Sequence, residues 1–491
     1  MKNNKATSKS FYKVILTIFI TCNFFLIKNI IKGLHEEFNL AIIVLGFSIF
    51  IPLFINIRKK NFFLFDPKNI IPLWFSGMYY ISSIPIYSVK YPREFFNTIL
   101  FNPMNKSNLT VFYILSLGIL LFYMGYGLVS ILLSKRRKIN YSISLSEAIK
   151  YKTTILRIYL FSILFRAYGY LSGFMGSLSA SNDANNNLPN IPLISIFFFV
   201  ANSWVIYFFY FASLSFSSKK NRNIFYFFLF FEFIFMLLSG HRRYLLVIFF
   251  SYALAFYMIN SYLPLSKALK YVIPFLIFVF PFITIYGYML PTLDNYGFIS
   301  LLDLLSSTLI RLTSISFFDI FNDYLLGPIL ESFNYFSNVG IAYTEFTLKG
   351  IAWGAVGLEN LLNKLVPSFI YSSSFDERVY YQIFSETAMS YRVEYSNLTF
   401  TAQSEQMLSF GITGVLLGMF LQGIVSSFLF RMFNSVKTPF FLRLVYLALL
   451  FKFSINFCSS LLVSDLVHAF RLLFYAIIVY FSYKIFTRYY A

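Results

Sequence analysis

This chain contains a series of apolar stretches, each close to the length that crosses a lipid bilayer. A membrane-spanning helix needs about 20 mostly apolar residues, and stretches of this kind recur from Val14 to the C-terminal end. Hydrophobic residues make up 58% of the sequence and charged residues only 12%. Because unpaired backbone groups cannot face lipid, each stretch is expected to be a helix. The sequence therefore predicts an all-α polytopic membrane protein.

We predict about twelve transmembrane helices. Their ranges are 14–31, 38–57, 69–88, 109–133, 154–174, 190–216, 223–239, 243–262, 268–290, 408–430, 440–462 and 469–487. No small-residue cleavage site follows the first of them, which favours a retained anchor over a removable signal. The chain then divides into residues 1–290 with nine helices, a large extracytoplasmic loop at 291–407 that contains helical segments, and residues 408–491 with the last three helices.

Lysine and arginine residues in the short loops predict the orientation, because cytoplasmic loops are enriched in them. The runs "IRKKN", "SKRRK" and "SKKNRN" all fall on one side, together with the basic N-terminal segment, whereas "SLSASNDANNNLP" on the other side has no positive residue. Both termini are therefore expected in the cytoplasm. The net charge of +20 is broken into loops between apolar helices, which argues against a nucleic-acid-binding surface.

One short turn places adjacent arginines at the predicted outer surface. In "LSGHRRYLLVIFF", Leu238 to Phe250, the turn between the seventh and eighth helices contains His241, Arg242 and Arg243. The arginines either extend from a helix end to lipid phosphates or form an anion site that binds phosphate or pyrophosphate.

The long loop at 291–407 is too large for a simple linker. Its segment Ile299 to Leu326 has apolar residues at helical spacing, which predicts an amphipathic helix at the membrane interface. That segment contains Arg311, and Arg378 and Arg392 lie farther along the loop among glutamates and aromatic residues. These three arginines are either further anion ligands or ordinary ion-paired surface residues.

Two charged residues are predicted to lie deep in the membrane. Arg166 in the fifth helix and Glu232 in the seventh are each about eight residues from the same side, hence at similar depth at about 1.5 Å per residue. They form either a buried ion pair, because an unpaired charge there is costly, or the lining of a polar cavity.

The segment before the tenth helix carries a family resemblance. The stretch "LTFTAQSEQMLSFGITGVLLGMFLQGI", Leu398 to Ile424, resembles the entry to a late helix in the Wzy-type polymerases of O-antigen and capsule repeat units. The matching residues are Thr399, Thr401, Glu405, Phe410, Gly411, Gly414 and Gly418. The turn at Gly240 and Arg242 and the segment "VPSFIY" resemble further parts of that family, although a second arginine follows the usual one.

This resemblance implies a membrane-embedded glycosyltransferase of the bacterial cytoplasmic membrane. It would transfer a growing glycan from undecaprenyl pyrophosphate to the next lipid-linked repeat unit on the outer face, with a chain-length regulator and a flippase as pathway partners. Arg242, Arg243, Arg311, Arg378 and Arg392 are the predicted pyrophosphate or glycan ligands, with no metal and no cofactor, since developing negative charge needs cationic partners. Glu405 is the first candidate for the catalytic base, followed by His241 and His468. A lipid-linked oligosaccharide flippase or other transporter, and an O-antigen ligase, are the alternatives.

Overall fold

The computed structural model describes residues 2–58, 62–88, 106–134, 145–171, 204–239, 242–260, 298–316, 336–350 and 401–435, with a few single positions and the short stretch 281–286. These residues are almost entirely helical, as predicted. The helices are α1 (Lys2–Ile31), α2 (Glu36–Ile57), α3 (Pro67–Phe75), α4 (Ser83–Tyr87), α5 (Lys106–Ser134), α6 (Leu145–Lys150), α7 (Lys152–Leu171), α8 (Trp204–Leu214), α9 (Lys219–Ser239), α10 (Arg242–Asn260), α11 (Phe298–Ser314), α12 (Phe336–Lys349) and α13 (Ala402–Phe433).

Four of the described helices are long and apolar enough to cross a membrane. They are Ser10–Ile31 within α1, Glu36–Ile57, Lys106–Leu133 within α5 and Ala402–Phe433. Long apolar helices identify the chain as a membrane protein. The predicted total of twelve crossings stays a prediction, because the twelfth range, nearly all of the eleventh, most of the ninth and half of the sixth lie outside the described residues.

The third predicted helix, 69–88, is not one regular α-helix. It consists of α3, a π-helix from Ser76 to Ile81, and α4. Pro72 lies inside α3 and Pro85 inside α4, and proline removes a backbone donor and crowds the preceding turn. The π-helix directs Tyr79 and Tyr80 into the protein interior, where both side chains are fully buried.

The core of the described bundle lies between α2, α5 and α13. The hydroxyl of Tyr123 on α5 donates to the Ile49 carbonyl on α2 at 3.2 Å. On the other side of α5, a Cβ atom at Gly125 would collide with the Phe420 carbonyl, and one at Gly423 with the Phe122 carbonyl. Small residues of this kind let membrane helices approach backbone to backbone.

The same contacts show that α5 and α13 run in the same direction. Phe122 lies against Gly423, and farther along both helices Arg431 donates to the Ser130 hydroxyl at 2.5 Å. Parallel neighbours agree with the predicted numbering, in which these are the fourth and tenth crossings.

The helix predicted within Ile299–Leu326 is present as α11. Leu304 and Thr308 form its buried side, while Leu309 and Ile310 are exposed. The apolar residues at helical spacing in this helix therefore do not all lie on the face that packs on the protein.

Candidate functional site

The segment with the family resemblance contains a sharp break in α13. Gly411 has φ +67° and ψ −154°, a backbone conformation that a residue with a side chain rarely adopts. A Cβ atom at Gly418 would lie 2.5 Å from Nε2 and 2.8 Å from Oε1 of Gln406. In a continuous helix these residues would be about 18 Å apart along the axis. The short helix Ala402–Phe410, which we call the half-helix, therefore folds back at Gly411 against the rest of α13.

The glycines of the matched segment make this fold-back possible. A Cβ atom at Gly414 would collide with the carbonyl oxygen of Gln406. At Gly411 it would lie 2.6 Å from the ring of Phe346 on α12, which covers the turn. Gly411, Gly414 and Gly418 thus allow the half-helix to approach the rest of α13 closely.

The half-helix is rich in polar residues and yet buried from its cap at Thr401 to Ser409, and Phe410 at its end is exposed. Thr401 caps its N-terminus, where the hydroxyl accepts from the Ser404 backbone N–H at 3.0 Å. Glu405 lies in the first turn with 5% of its surface exposed, a position in which a carboxylate interacts favourably with the helix dipole. Irregular backbone at membrane depth is tolerated where protein buries it or where it lines a cavity.

Two glutamines beside Glu405 carry amide groups with unused hydrogen-bonding capacity. Tyr79 from the π-helix donates to Oε1 of Gln403 at 2.9 Å, whereas Nε2 of Gln403 and both amide atoms of Gln406 have no hydrogen-bond partner. Buried polar atoms without partners are costly in a protein interior. A polar ligand or water bound next to the half-helix would satisfy them.

Sequence reasoning missed Gln403, Gln406 and Tyr79. One signal was available, since "TAQSEQ" places four polar side chains in succession directly before an apolar stretch. The signal for Tyr79 was absent, because tyrosine is abundant throughout the chain.

The structure describes two of the eight predicted site side chains. Glu405 lies in the buried half-helix, and Arg311 is exposed in the last turn of α11. Arg242 and Arg243 form the first turn of α10, but their side chains lie outside the described part. His241, His468, Arg378 and Arg392 also lie outside it. The proposed grouping of these residues therefore stays a prediction.

The deep ion pair between α7 and α9 is present. Arg166 donates from its two terminal nitrogens to the two carboxylate oxygens of Glu232 at 2.7 and 2.9 Å, and Tyr159 donates to Oε1 of Glu232 at 2.7 Å. The guanidinium also lies 4.0 Å from the ring centre of Phe235. This geometry is bidentate and fully buried, and the pair therefore links the two helices. Of the two alternatives, an ion pair and the lining of a polar cavity, the structure has the ion pair.

In the part of the chain that the structure describes, no group of three or more His, Cys, Asp or Glu residues could hold a metal ion. Metal independence itself stays a prediction. Comparisons with protein-family models, with curated proteins and with solved structures found no match to this chain.

Proposed function

We propose that this protein is a membrane-embedded glycosyltransferase that polymerises lipid-linked oligosaccharide repeat units. The observation that carries the proposal is the half-helix, in which the segment resembling the Wzy-type polymerases forms a buried polar element around Glu405. An ordinary membrane-spanning helix needs neither a carboxylate nor two glutamines at such a position.

The reaction joins two lipid-linked glycans. A hydroxyl oxygen of the acceptor sugar attacks the anomeric carbon of the donor, the bond from that carbon to pyrophosphate oxygen breaks, and the lipid pyrophosphate leaves. Glu405 accepts the proton of the attacking hydroxyl. The amides of Gln403 and Gln406 can both donate to and accept from sugar hydroxyls, and so would orient the acceptor beside the carboxylate.

The leaving pyrophosphate needs positive charge. Arg242 and Arg243, at the start of α10, are the first candidates, and Arg311, Arg378 and Arg392 are the others. Guanidinium groups bind phosphate oxygens bidentately, so that arginines stabilise the developing charge without a metal. The proposed location is the outer face of the cytoplasmic membrane, with both termini in the cytoplasm, and nucleic acid plays no part.

A transporter of lipid-linked oligosaccharides is the second candidate, and the break in α13 favours it. Discontinuous helices with buried polar groups commonly form the substrate sites of secondary transporters. An O-antigen ligase would use the same donor and differ only in its acceptor.

Deleting the gene in the source organism separates these functions by the intermediates that remain. Loss of a polymerase leaves single repeat units on the surface and no ladder of longer chains. Loss of a flippase leaves single units on the lipid carrier at the inner face, and loss of a ligase leaves long chains on the carrier. Either of the last two results would contradict the proposal, as would an unchanged ladder.

A further inference from the structure

A second polar site, separate from the half-helix, lies at the turn between α8 and α9. The turn between α8 and α9 borders an open cavity of about 390 Å³. Its polar rim includes Ser217, Lys219 and Arg222, and its wall includes Phe225, Tyr226 and Tyr252. Among the described residues, no aspartate or glutamate lines it.

The charge at the rim suits an anion. Lys219 and Arg222 stand on the first turn of α9, where the positive end of the helix dipole adds to their field. Ser218 closes this turn, since its hydroxyl accepts from the Asn221 N–H at 3.3 Å and its carbonyl from the Arg222 N–H at 3.0 Å.

A buried network holds the turn in place. Asn221 is 7% exposed, and its side chain accepts from Lys152 on α7 at 2.5 Å and donates to Ser217 at 2.7 Å. The anchoring cation, Lys152, is thus already engaged, while the side chains of Lys219 and Arg222 are exposed. The backbone that carries Lys219 and Arg222 is therefore held in place before any ligand arrives, which lowers the entropic cost of binding.

The wall of the cavity is aromatic and joins three helical segments. The ring of Tyr252 on α10 lies 5.6 Å from that of Phe225 on α9 and 5.7 Å from that of Phe216 after α8. In a bilayer interface the lipid phosphates lie above the apolar chains. The cations of this cavity would contact the phosphates, and its aromatic rings would contact the apolar chains. Basic pockets between membrane helices bind anionic headgroups on the cytoplasmic side, the side on which the charge distribution places this turn.

We propose that this cavity binds a phosphate-bearing anion, with Lys219 and Arg222 as its ligands. The ligand's phosphate comes either from an anionic phospholipid of the surrounding membrane or from a free phosphate compound. The inference uses none of the residues assigned to glycosyl transfer and stands independently of the proposed function.

The test measures ligand binding to the full-length protein in detergent by native mass spectrometry. Phosphatidylglycerol and cardiolipin are titrated, with phosphatidylcholine as the zwitterionic comparison and inorganic phosphate and pyrophosphate as soluble competitors. The variants are Lys219→Ala/Arg222→Ala and, as a control, Lys220→Ala, which removes another exposed lysine of the same turn that does not line the cavity.

The double variant is expected to bind the anionic lipids at least tenfold more weakly, and Lys220→Ala within twofold of the unaltered protein. If phosphate or pyrophosphate binds through the same two residues while the anionic lipids bind no more tightly than phosphatidylcholine, the site exists and its ligand is the soluble compound. Equal losses in the double variant and Lys220→Ala would overturn the proposal, because only general surface charge would then be measured. Unchanged binding of all probes by the double variant would overturn it as well.

Discussion

Arg166 and Glu232 neutralise each other between α7 and α9, and this pairing makes each dependent on the other. Their contact is bidentate and buried, with Tyr159 as a further donor to the carboxylate. Removing one partner of such a pair leaves an uncompensated buried charge, whereas replacing both by apolar residues often costs little.

We expect Arg166→Leu to destabilise the protein by about 3–5 kcal/mol. The double variant Arg166→Leu/Glu232→Leu should recover most of that loss. Both effects on stability are measured by heating the detergent-solubilised variants and using size-exclusion chromatography to quantify the folded protein that remains. Equal destabilisation by the single and double changes would contradict the ion-pair account.

Gly411 is the second residue whose identity the structure explains. Its positive φ and the ring of Phe346 both exclude a side chain. Gly411→Ala should therefore cost more than about 1 kcal/mol from backbone strain, with overpacking in addition.

The matched control is Gly127→Ala in α5, where a Cβ atom would meet nothing within 4 Å. There alanine should be neutral or stabilising by up to about 1 kcal/mol, because glycine is a poor helix former. Adding Phe346→Ala to Gly411→Ala relieves the clash but not the strain, and should recover only part of the loss. Equal melting temperatures for the Gly411 and Gly127 variants would refute this reading.

At the scale of elements, the half-helix has a direct structural test. Cysteines replacing Gln406 and Gly418 should form a disulfide in a background without Cys22 and Cys458, because the fold-back brings these positions together. The pair Gln406→Cys/Leu417→Cys is the control, since Leu417 is adjacent in sequence and faces outward, 61% exposed. Protection from maleimide labelling after mild oxidation reports the disulfide. A straight helix would leave both pairs reactive.

The contact between α5 and α13 predicts that two glycines of α5 differ in how strongly their replacement by alanine destabilises the protein. A Cβ atom at Gly125 would collide with the Phe420 backbone carbonyl, whereas one at Gly118 would meet the flexible side chain of Met419. Gly125→Ala should thus destabilise by about 1–3 kcal/mol through overpacking. Gly118→Ala should cost clearly less, because methionine adapts its shape. Melting curves of the two variants measure this difference in stability. A larger loss for Gly118→Ala than for Gly125→Ala would exclude backbone contact at Gly125.

The sequence predicts features that depend on regular helix geometry, and it does not predict features that depend on contacts between residues distant in the chain. The pairing of Arg166 with Glu232 could be predicted, because the regular helical rise gives both residues a similar depth and an unpaired charge in lipid is costly. The fold-back at Gly411 was not predicted, since the apolar stretch after it reads as an ordinary helix and the reversal depends on Gln406, Gly418 and Phe346. The π-helix that contains Tyr79 was not predicted either, although Pro72 and Pro85 flank it in the sequence. The arginine grouping stays a prediction.

In the whole molecule, the described helices form a bundle with two candidate binding sites. One is the half-helix with Glu405, and the other is the basic turn between α8 and α9. The predicted topology puts them on opposite membrane faces. This separation would let the outer site act on lipid-linked glycans while the inner site contacts an anionic headgroup.

The central claim is that the purified protein joins lipid-linked repeat units and that Glu405 takes part. The most direct measurement is the glycan ladder formed in nanodiscs from repeat units extracted from a strain lacking this gene, with EDTA present. We predict a ladder from the unaltered protein and from Lys220→Ala, and none from folded Glu405→Gln. Absence of a ladder from the unaltered protein would contradict the claim, and an equal ladder from Glu405→Gln would remove Glu405 from the mechanism.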